Sequence, residues 1–269
     1  MPEGDTVWRT ARRLHAALAG ERLTVADLRH PRWAAVDLRG RLISEIVPRG
    51  KHLLTRTVAD DGTAVTVHTH LGMEGSWRLY RPGERWSGGP AHQIRVVFAT
   101  SAVTAVGYRL KQVTVVPTAD EGDVVGHLGP DLLGPDWDAA EALRRLNARG
   151  DRAIGVALLD QRNLAGIGNL YRAEVLFLRE VSPWTPVAAV PDLPAVVDLA
   201  RRLLDANRER PVQATTGSLR RGEQHWVYGR AGQPCRRCGT RIQSADLGDE
   251  PDADPQARRA YWCPHCQPG

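Results

Sequence analysis

Lysine is almost missing from this chain. Of 36 basic residues only two are lysines, Lys51 and Lys111, and all the others are arginine. The coding bias of a GC-rich genome explains the global ratio, but not why a given position keeps a lysine. Long apolar runs are missing too. No stretch reaches the ~18 residues of a membrane-spanning helix, and the opening MPEGDTVWRT lacks the apolar segment of a secretory signal. A cytoplasmic protein is expected. Cysteine is scarce, with four residues that all follow position 234. Without a sign of export, that distribution favours a metal site over disulfides.

What remains is globular in composition. The 269 residues are 42% hydrophobic and 25% charged, enough for one large domain or two smaller ones. The net charge of +5 is unevenly spread. Residues 1–117 hold 17 basic and 10 acidic side chains, 118–150 hold 3 and 7, and 151–269 hold 16 and 14. Two basic ends around an acidic connector suit a bilobed body that meets an anionic partner with both lobes.

Hydrophobic periodicity divides the chain the same way. Asp5 is placed to N-cap a helix with apolar positions Val7, Ala11, Leu14 and Leu18, and Gly20 to stop it. Strand patterns follow at 23–28, 34–38, 42–46, 52–57, 64–69, 76–80, 93–98, 103–106 and 112–116. Eight or nine short strands predict a sandwich or barrel. The acidic, Gly- and Pro-rich stretch 117–135 reads as a hinge. Beyond it the period changes, and helices are expected at 139–149, 153–159, 170–178 and 193–207.

Four motifs carry chemistry. Cys235-x2-Cys238 and Cys263-x2-Cys266 form two knuckles able to set four thiolates tetrahedrally around one zinc. The 24 residues between them are more than such sites usually have, and the acidic stretch 246–254 supplies the excess. His265 lies inside the second knuckle as a second-rank ligand candidate. The competing reading is a pair of disulfides or redox dithiols. Eight arginines between Arg220 and Arg259 surround the knuckles, with Trp226, Tyr228, Tyr261 and Trp262 among them. Such a surface suits a phosphate backbone, or it is a solvated face of an arginine-rich protein. At the other end, Met1-Pro2 invites removal of the initiator. Pro2 would then be a secondary α-amine, a class with a pKa of about 7.7–8.0, and able to form a Schiff base with a sugar aldehyde. Glu3 follows as a proton donor or acceptor. Many chains begin Met-Pro by chance. Arg49-Gly50-Lys51-His52 reads as a tight turn presenting a lysine. Gly166-Ile-Gly168-Asn169 opens a helix whose free N–H groups suit a phosphate.

In this order the elements resemble the Fpg/Nei family of DNA glycosylases. The matches are Met-Pro-Glu-Gly at the start, Arg49-Gly50-Lys51, His70-Leu71-Gly72-Met73, Leu158-Leu159-Asp160-Gln161 with Ala165-Gly-Ile-Gly-Asn169, and the hairpin ending Tyr261-Trp262-Cys263-Pro-His-Cys266. The resemblance spans nearly the whole chain. It implies a multidomain α+β fold: an N-terminal β-sandwich with its helix over 1–117, a linker over 118–135, a helix–two-turns–helix domain over 136–222 and a zinc hairpin over 223–269. It also implies roles. Pro2 is the nucleophile at C1′, Glu3 the acid/base, Lys51 the proton donor and phosphate contact, and Asn169 a phosphate ligand. Arg258 is the hairpin arginine that grips phosphates and assists δ-elimination, with Arg259 its easily confused neighbour. Met73 is the wedge that replaces a flipped nucleotide, and His70 a DNA contact. Cys235, Cys238, Cys263 and Cys266 hold one structural zinc.

Within the family, Pro-Glu-Gly and Tyr-Trp-Cys-Pro-x-Cys-Gln resemble the endonuclease VIII branch in an actinobacterial-like form, which removes oxidised pyrimidines. Asp5 stands where proline is common, and Gly155 where the 8-oxoguanine branch carries lysine. The segment Gly107-Tyr-Arg109-Leu lacks that branch's Arg-Arg-Phe-Gly, leaving Arg109 a weak candidate for filling the gap in the helix. The expectation is a monomeric, nucleoid-associated glycosylase/abasic-site lyase acting on double-stranded DNA. The alternatives are a noncatalytic zinc-dependent damage-binding protein and an 8-oxoguanine/formamidopyrimidine glycosylase.

Overall fold

A computed structural model describes residues 2–249 and 257–269. Met1, whose removal the Pro2 chemistry requires, and residues 250–254 of the acidic stretch lie outside the described residues. The chain divides into two compact units, Met1–His127 and Leu128–Gly269.

In the first unit, α1 (Gly4–Leu18) precedes eight strands: β1 (Val25–Leu28), β2 (Leu42–Arg49), β3 (His52–Val58), β4 (Ala64–His70), β5 (Ser76–Tyr80), β6 (Ile94–Ala99), β7 (Thr104–Tyr108) and β8 (Gln112–Pro117). They form two antiparallel four-stranded sheets, ordered β1-β6-β7-β5 and β2-β3-β4-β8. One core lies between them. Val7, Ala11, Leu14 and Leu18 of α1 bury there with Ile43, Ile46, Leu53 and Val67 of one sheet and Trp77, Val96, Phe98 and Ala105 of the other. Alternating side chains on each strand give each sheet one such inward face.

Two expectations fail here. The cap of α1 is Glu3, extended at φ −119°, and Asp5 is buried inside the first turn. An acid there still meets the positive end of the helix dipole, so helix and acid were legible but the boundary was not. Residues 34–38 form no strand. The turn at 31–35 is pinned by the Trp33 indole N–H, which donates to the Val113 carbonyl at 3.0 Å. Its apolar content inserts Leu38 into the core rather than pairing with a neighbour.

The stretch after β8 is fastened to this unit. Glu121 accepts two hydrogen bonds from the Arg56 guanidinium, at 2.7 and 2.6 Å, and one from the Thr66 hydroxyl at 2.6 Å. A short helix, α2 (Gly122–Val125), follows.

The second unit is helical, with α3 (Ala139–Asn147), α4 (Ile154–Ala157), α5 (Asn169–Leu178) and α6 (Leu193–Asn207). Helix α4 is a single turn, shorter than the expected 153–159. Leu146, Ile154, Leu158, Tyr171, Val175, Val197 and Leu204 share its core. A second cluster joins Ala173 and Phe177 of α5 to Val227, Cys235, Ile242 and Cys263. There β9 (Gln243–Leu247) and β10 (Arg258–Trp262) form an antiparallel pair. Among the described residues no helix is long and apolar enough to cross a membrane.

Candidate active site and metal centre

In the first unit the expected site residues sit on three features. Pro2 and Glu3 lead into α1. Glu3 is 1% exposed, and its carbonyl accepts the Val7 N–H at 3.0 Å. Gly50 and Lys51 form the whole β2–β3 turn. Gly50 takes φ +57°, the left-handed value needed at the first position of a tight hairpin turn. The third feature is the turn after β4. The Gly72 N–H donates to His70 Nδ1 at 2.9 Å, and the Gly75 N–H donates to the Leu71 carbonyl at 2.9 Å. A Cβ on Gly75 would lie 2.2 Å from that carbonyl oxygen, so only glycine closes the turn. Met73 stands at its tip, 75% exposed. A large apolar side chain held out to water by a built turn is what a base-stack wedge requires.

Arg109 supports this turn. It adopts φ +49°, strained for a non-glycine residue. Its guanidinium donates to the Glu74 carbonyl at 3.2 Å and to Gln93 Oε1 at 2.5 Å. The structure thus ties Arg109, named in the sequence only as a gap-filling candidate, to the backbone of the turn that carries Met73.

Behind these turns lies a histidine cluster that sequence reasoning missed. His52 Nδ1 and His68 Nε2 approach to 2.7 Å, the His70 ring meets His52 edge-on at 5.0 Å, and the His127 ring lies 6.1 Å away. The register His52↔His70 across β3 and β4 brings them together. Burial, reinforced by neighbouring histidines and lysines, pushes His52 down to about 3 and His68 and His70 down to about 4. The rings are therefore neutral in the fold, while the unfolded chain protonates them near pH 6.5. Stability from this cluster is present above that pH and is lost as pH falls from 6.5 towards 4. One histidine moved this far costs about 3 kcal/mol at the acid end. Melting temperature measured from pH 8 to pH 4.5 should fall on the acid side, and His68→Gln should flatten the fall. An equal pH slope in both proteins would remove the cluster from this role.

In the second unit Gln161 organises the turn before α5. Its Oε1 accepts the Gly166 N–H at 3.0 Å, and its Nε2 donates to the Leu159 and Ile167 carbonyls at 2.9 and 3.0 Å. Gly168 caps α5, whose first residue is Asn169. Asn169 Nδ2 and the buried Arg172 guanidinium both donate to the Arg259 carbonyl at 3.0 Å, which ties β10 to this helix start. Arg258 and Arg259 are both exposed, and strand geometry turns them to opposite faces. Arg259 pairs with Asp246 across the hairpin at 3.1 Å. The acidic stretch also reaches Arg152, whose partners are Asp249 at 2.6 Å and Asp160 at 2.8 Å. Glu174, fully buried on α5, gathers the backbone N–H groups of Trp226, Val227 and Tyr228 at 2.8–2.9 Å and fixes the loop before the first knuckle.

Gly155 leaves no room for a side chain. A Cβ there would lie 2.7 Å from Leu247 Cδ2 and 2.8 Å from the Pro183 carbonyl oxygen. Lysine could not enter without displacing β9.

All four cysteines are free thiols, and their sulfurs lie within 4.8 Å of one another. Cys238 is 3.5 Å from Cys263 and from Cys266, and Cys235 is 4.0 Å from Cys266. Thiolates around a tetrahedral zinc at about 2.3 Å stand about 3.8 Å apart. The set fits a metal and matches no disulfide.

Comparison with known proteins follows the same division. Residues 1–115 match the profile described as formamidopyrimidine-DNA glycosylase N-terminal domain, and residues 128–204 the formamidopyrimidine-DNA glycosylase H2TH domain. The chain is 58% identical to "Probable endonuclease 8 2" of Streptomyces coelicolor, covering 100% of this chain and 95% of the relative. It is 47% identical to "DNA-(apurinic or apyrimidinic site) lyase Nei2" of Mycolicibacterium smegmatis, covering 99% of each. The Lactococcus lactis formamidopyrimidine-DNA glycosylase, solved on DNA containing an abasic site, aligns over 100% of both chains with TM-score 0.79 and 22% identity, a likeness of fold.

Proposed function

The chain belongs to the formamidopyrimidine-DNA glycosylase family, and from that premise we infer that it is a bifunctional DNA glycosylase and abasic-site lyase of DNA repair. Its partner is DNA carrying a damaged base or an abasic site. The observation that carries the reading is the set Pro2, Glu3, Lys51 and Met73 on one unit, with the two turns that present Lys51 and Met73 built to hold them. A protein that only binds would use Lys51 and Met73 but has no use for the pair Pro2 and Glu3.

The chemistry assigned to these residues is as follows. The deprotonated Pro2 amine attacks C1′ of the flipped nucleotide, and the base departs. Glu3 passes a proton to the sugar ring oxygen as the ring opens, and the nitrogen lone pair forms the C1′=N bond of an iminium. Loss of a C2′ proton expels the 3′ phosphate, and a second elimination expels the 5′ phosphate. Lys51 supplies a proton and holds phosphate. Arg258 serves the second elimination and binds phosphate, while Asn169, His70 and Arg259 contact the backbone. Met73 fills the gap in the stack. Oxidised pyrimidines are the substrate class, because the closed space at Gly155 excludes the lysine of the 8-oxoguanine branch. The four cysteines hold one zinc that shapes the hairpin and takes no part in the reaction. The workplace is the cytoplasm, at the nucleoid.

The test is incision of duplexes bearing an abasic site, thymine glycol or 8-oxoguanine. Abasic DNA should be cut to ends carrying phosphate on both sides, and thymine glycol excised at least about tenfold faster than 8-oxoguanine, the discrimination one well-placed polar contact provides. Binding without incision would overturn the enzyme reading, and the reverse preference would overturn the pyrimidine assignment.

A further inference from the structure

The two lysines of this chain meet at one residue. Lys51 lies in the turn before β3, and Lys111 directly precedes β8. The Lys111 N–H donates to the His70 carbonyl at 2.9 Å. Its side-chain stem runs along Gly72: a Cβ added there would lie 2.8 Å from Lys111 Cβ and 3.4 Å from its Cδ. The stem thus lies against the turn that carries Met73, and the residue is exposed. Both lysine charges are close enough to the His70 ring to disfavour its protonation. The Gly72 N–H on Nδ1 leaves the ring proton on Nε2, as a neutral donor.

We propose that Lys111 is a further DNA-phosphate ligand, completing with Lys51 and His70 a three-donor cradle for the DNA backbone beside the Met73 wedge. This rests on the DNA-repair reading above. Two cations around a neutral N–H donor suit an anion and repel a cation. The Lys111 stem lies along the Gly72 turn, and its charge acts on the same His70 ring as the charge of Lys51, so an anion beside that ring meets both. Coding bias has replaced lysine by arginine nearly everywhere else.

The experiment uses the full-length protein and duplex DNA with a stable abasic analogue, with binding measured across salt concentration. Lys111→Met should reduce the slope of log K against log salt by about 0.9, one phosphate's worth. At fixed salt it should weaken binding about tenfold, as a lost charge-assisted hydrogen bond does. Lys111→Arg should restore the slope, since the charge returns. Melting temperature reports whether the fold is intact. A wild-type slope in a folded Lys111→Met protein overturns the proposal and leaves the repair reading standing. So does a reduced slope that Lys111→Arg fails to restore. If the wild-type protein neither binds nor cuts abasic DNA, the repair reading falls and this proposal with it.

Discussion

A chain extended at its N-terminus, so that Pro2 sits in peptide linkage, should give no borohydride-trapped adduct on abasic DNA, whereas the processed protein gives one. An amide nitrogen has delocalised its lone pair and cannot attack C1′, while a free α-amine with a pKa of about 8 is deprotonated in roughly one molecule in ten at neutral pH. The loss should exceed about a thousandfold, the order of what a positioned nucleophile contributes. Pro2→Gly keeps an amine and should retain part of the adduct. Glu3 separates the two chemistries. Glu3→Gln should slow excision of a damaged base at least about a hundredfold, the low end of general acid–base catalysis, and slow incision of a pre-formed abasic site less, because there the base has already gone. Undiminished trapping by the extended chain would move the nucleophile elsewhere. Equal effects of Glu3→Gln on both substrates would deny Glu3 its part in opening the sugar.

Much of this fold is written in local periodicity, and what was missed was non-local. The apolar spacing of residues 193–207 matched α6 to the residue, and the structure adds Asp192 as its cap. Strands β2 to β5 fell within a few positions of their alternating patterns. Residues 34–38 alternate too, but the bond from Trp33 to a carbonyl 80 residues away turned them into a plug. The site divides the same way. Lys51, Met73, Asn169 and the cysteines lie in motifs of adjacent residues and were legible. The histidine cluster depends on the register of β3 against β4, and Arg109 on bonds to residues 35 and 16 positions away. The two arginines of β10 are a middle case. Their opposite faces follow from the period of a strand, but the cross-strand Asp246 that occupies Arg259 follows only from the pairing.

Removing the metal should undo the cysteine hairpin of the second unit before it undoes the first unit. Cys235 and Cys263 are buried with Phe177, Val227 and Ile242. The Cys263 N–H donates to Gln267 Oε1 at 3.0 Å, and Gln267 Nε2 donates to the Val181 carbonyl at 2.8 Å. Beyond these contacts the described hairpin is a two-stranded ribbon, too small to stand alone. Structural zinc in such small elements carries about 10–16 kcal/mol of apparent binding free energy, more than the rest of the hairpin supplies. The consequence reaches α5, because Asn169 and Arg172 both rest on the Arg259 carbonyl of β10. With the hairpin unfolded, Arg258 and Arg259 lose their places and Asn169 its orientation. Metal analysis should return one zinc per chain. Cys263→Ala, or chelation, should abolish measurable binding to abasic DNA, at least about a hundredfold, as the loss of two or three phosphate contacts implies. Melting should then split into two steps, the later one retained by the sandwich of the first unit, whose core shares no residue with the cysteine cluster. A zinc-free protein that melts in one step at the same temperature and binds DNA as before would show that the thiols are not a metal centre.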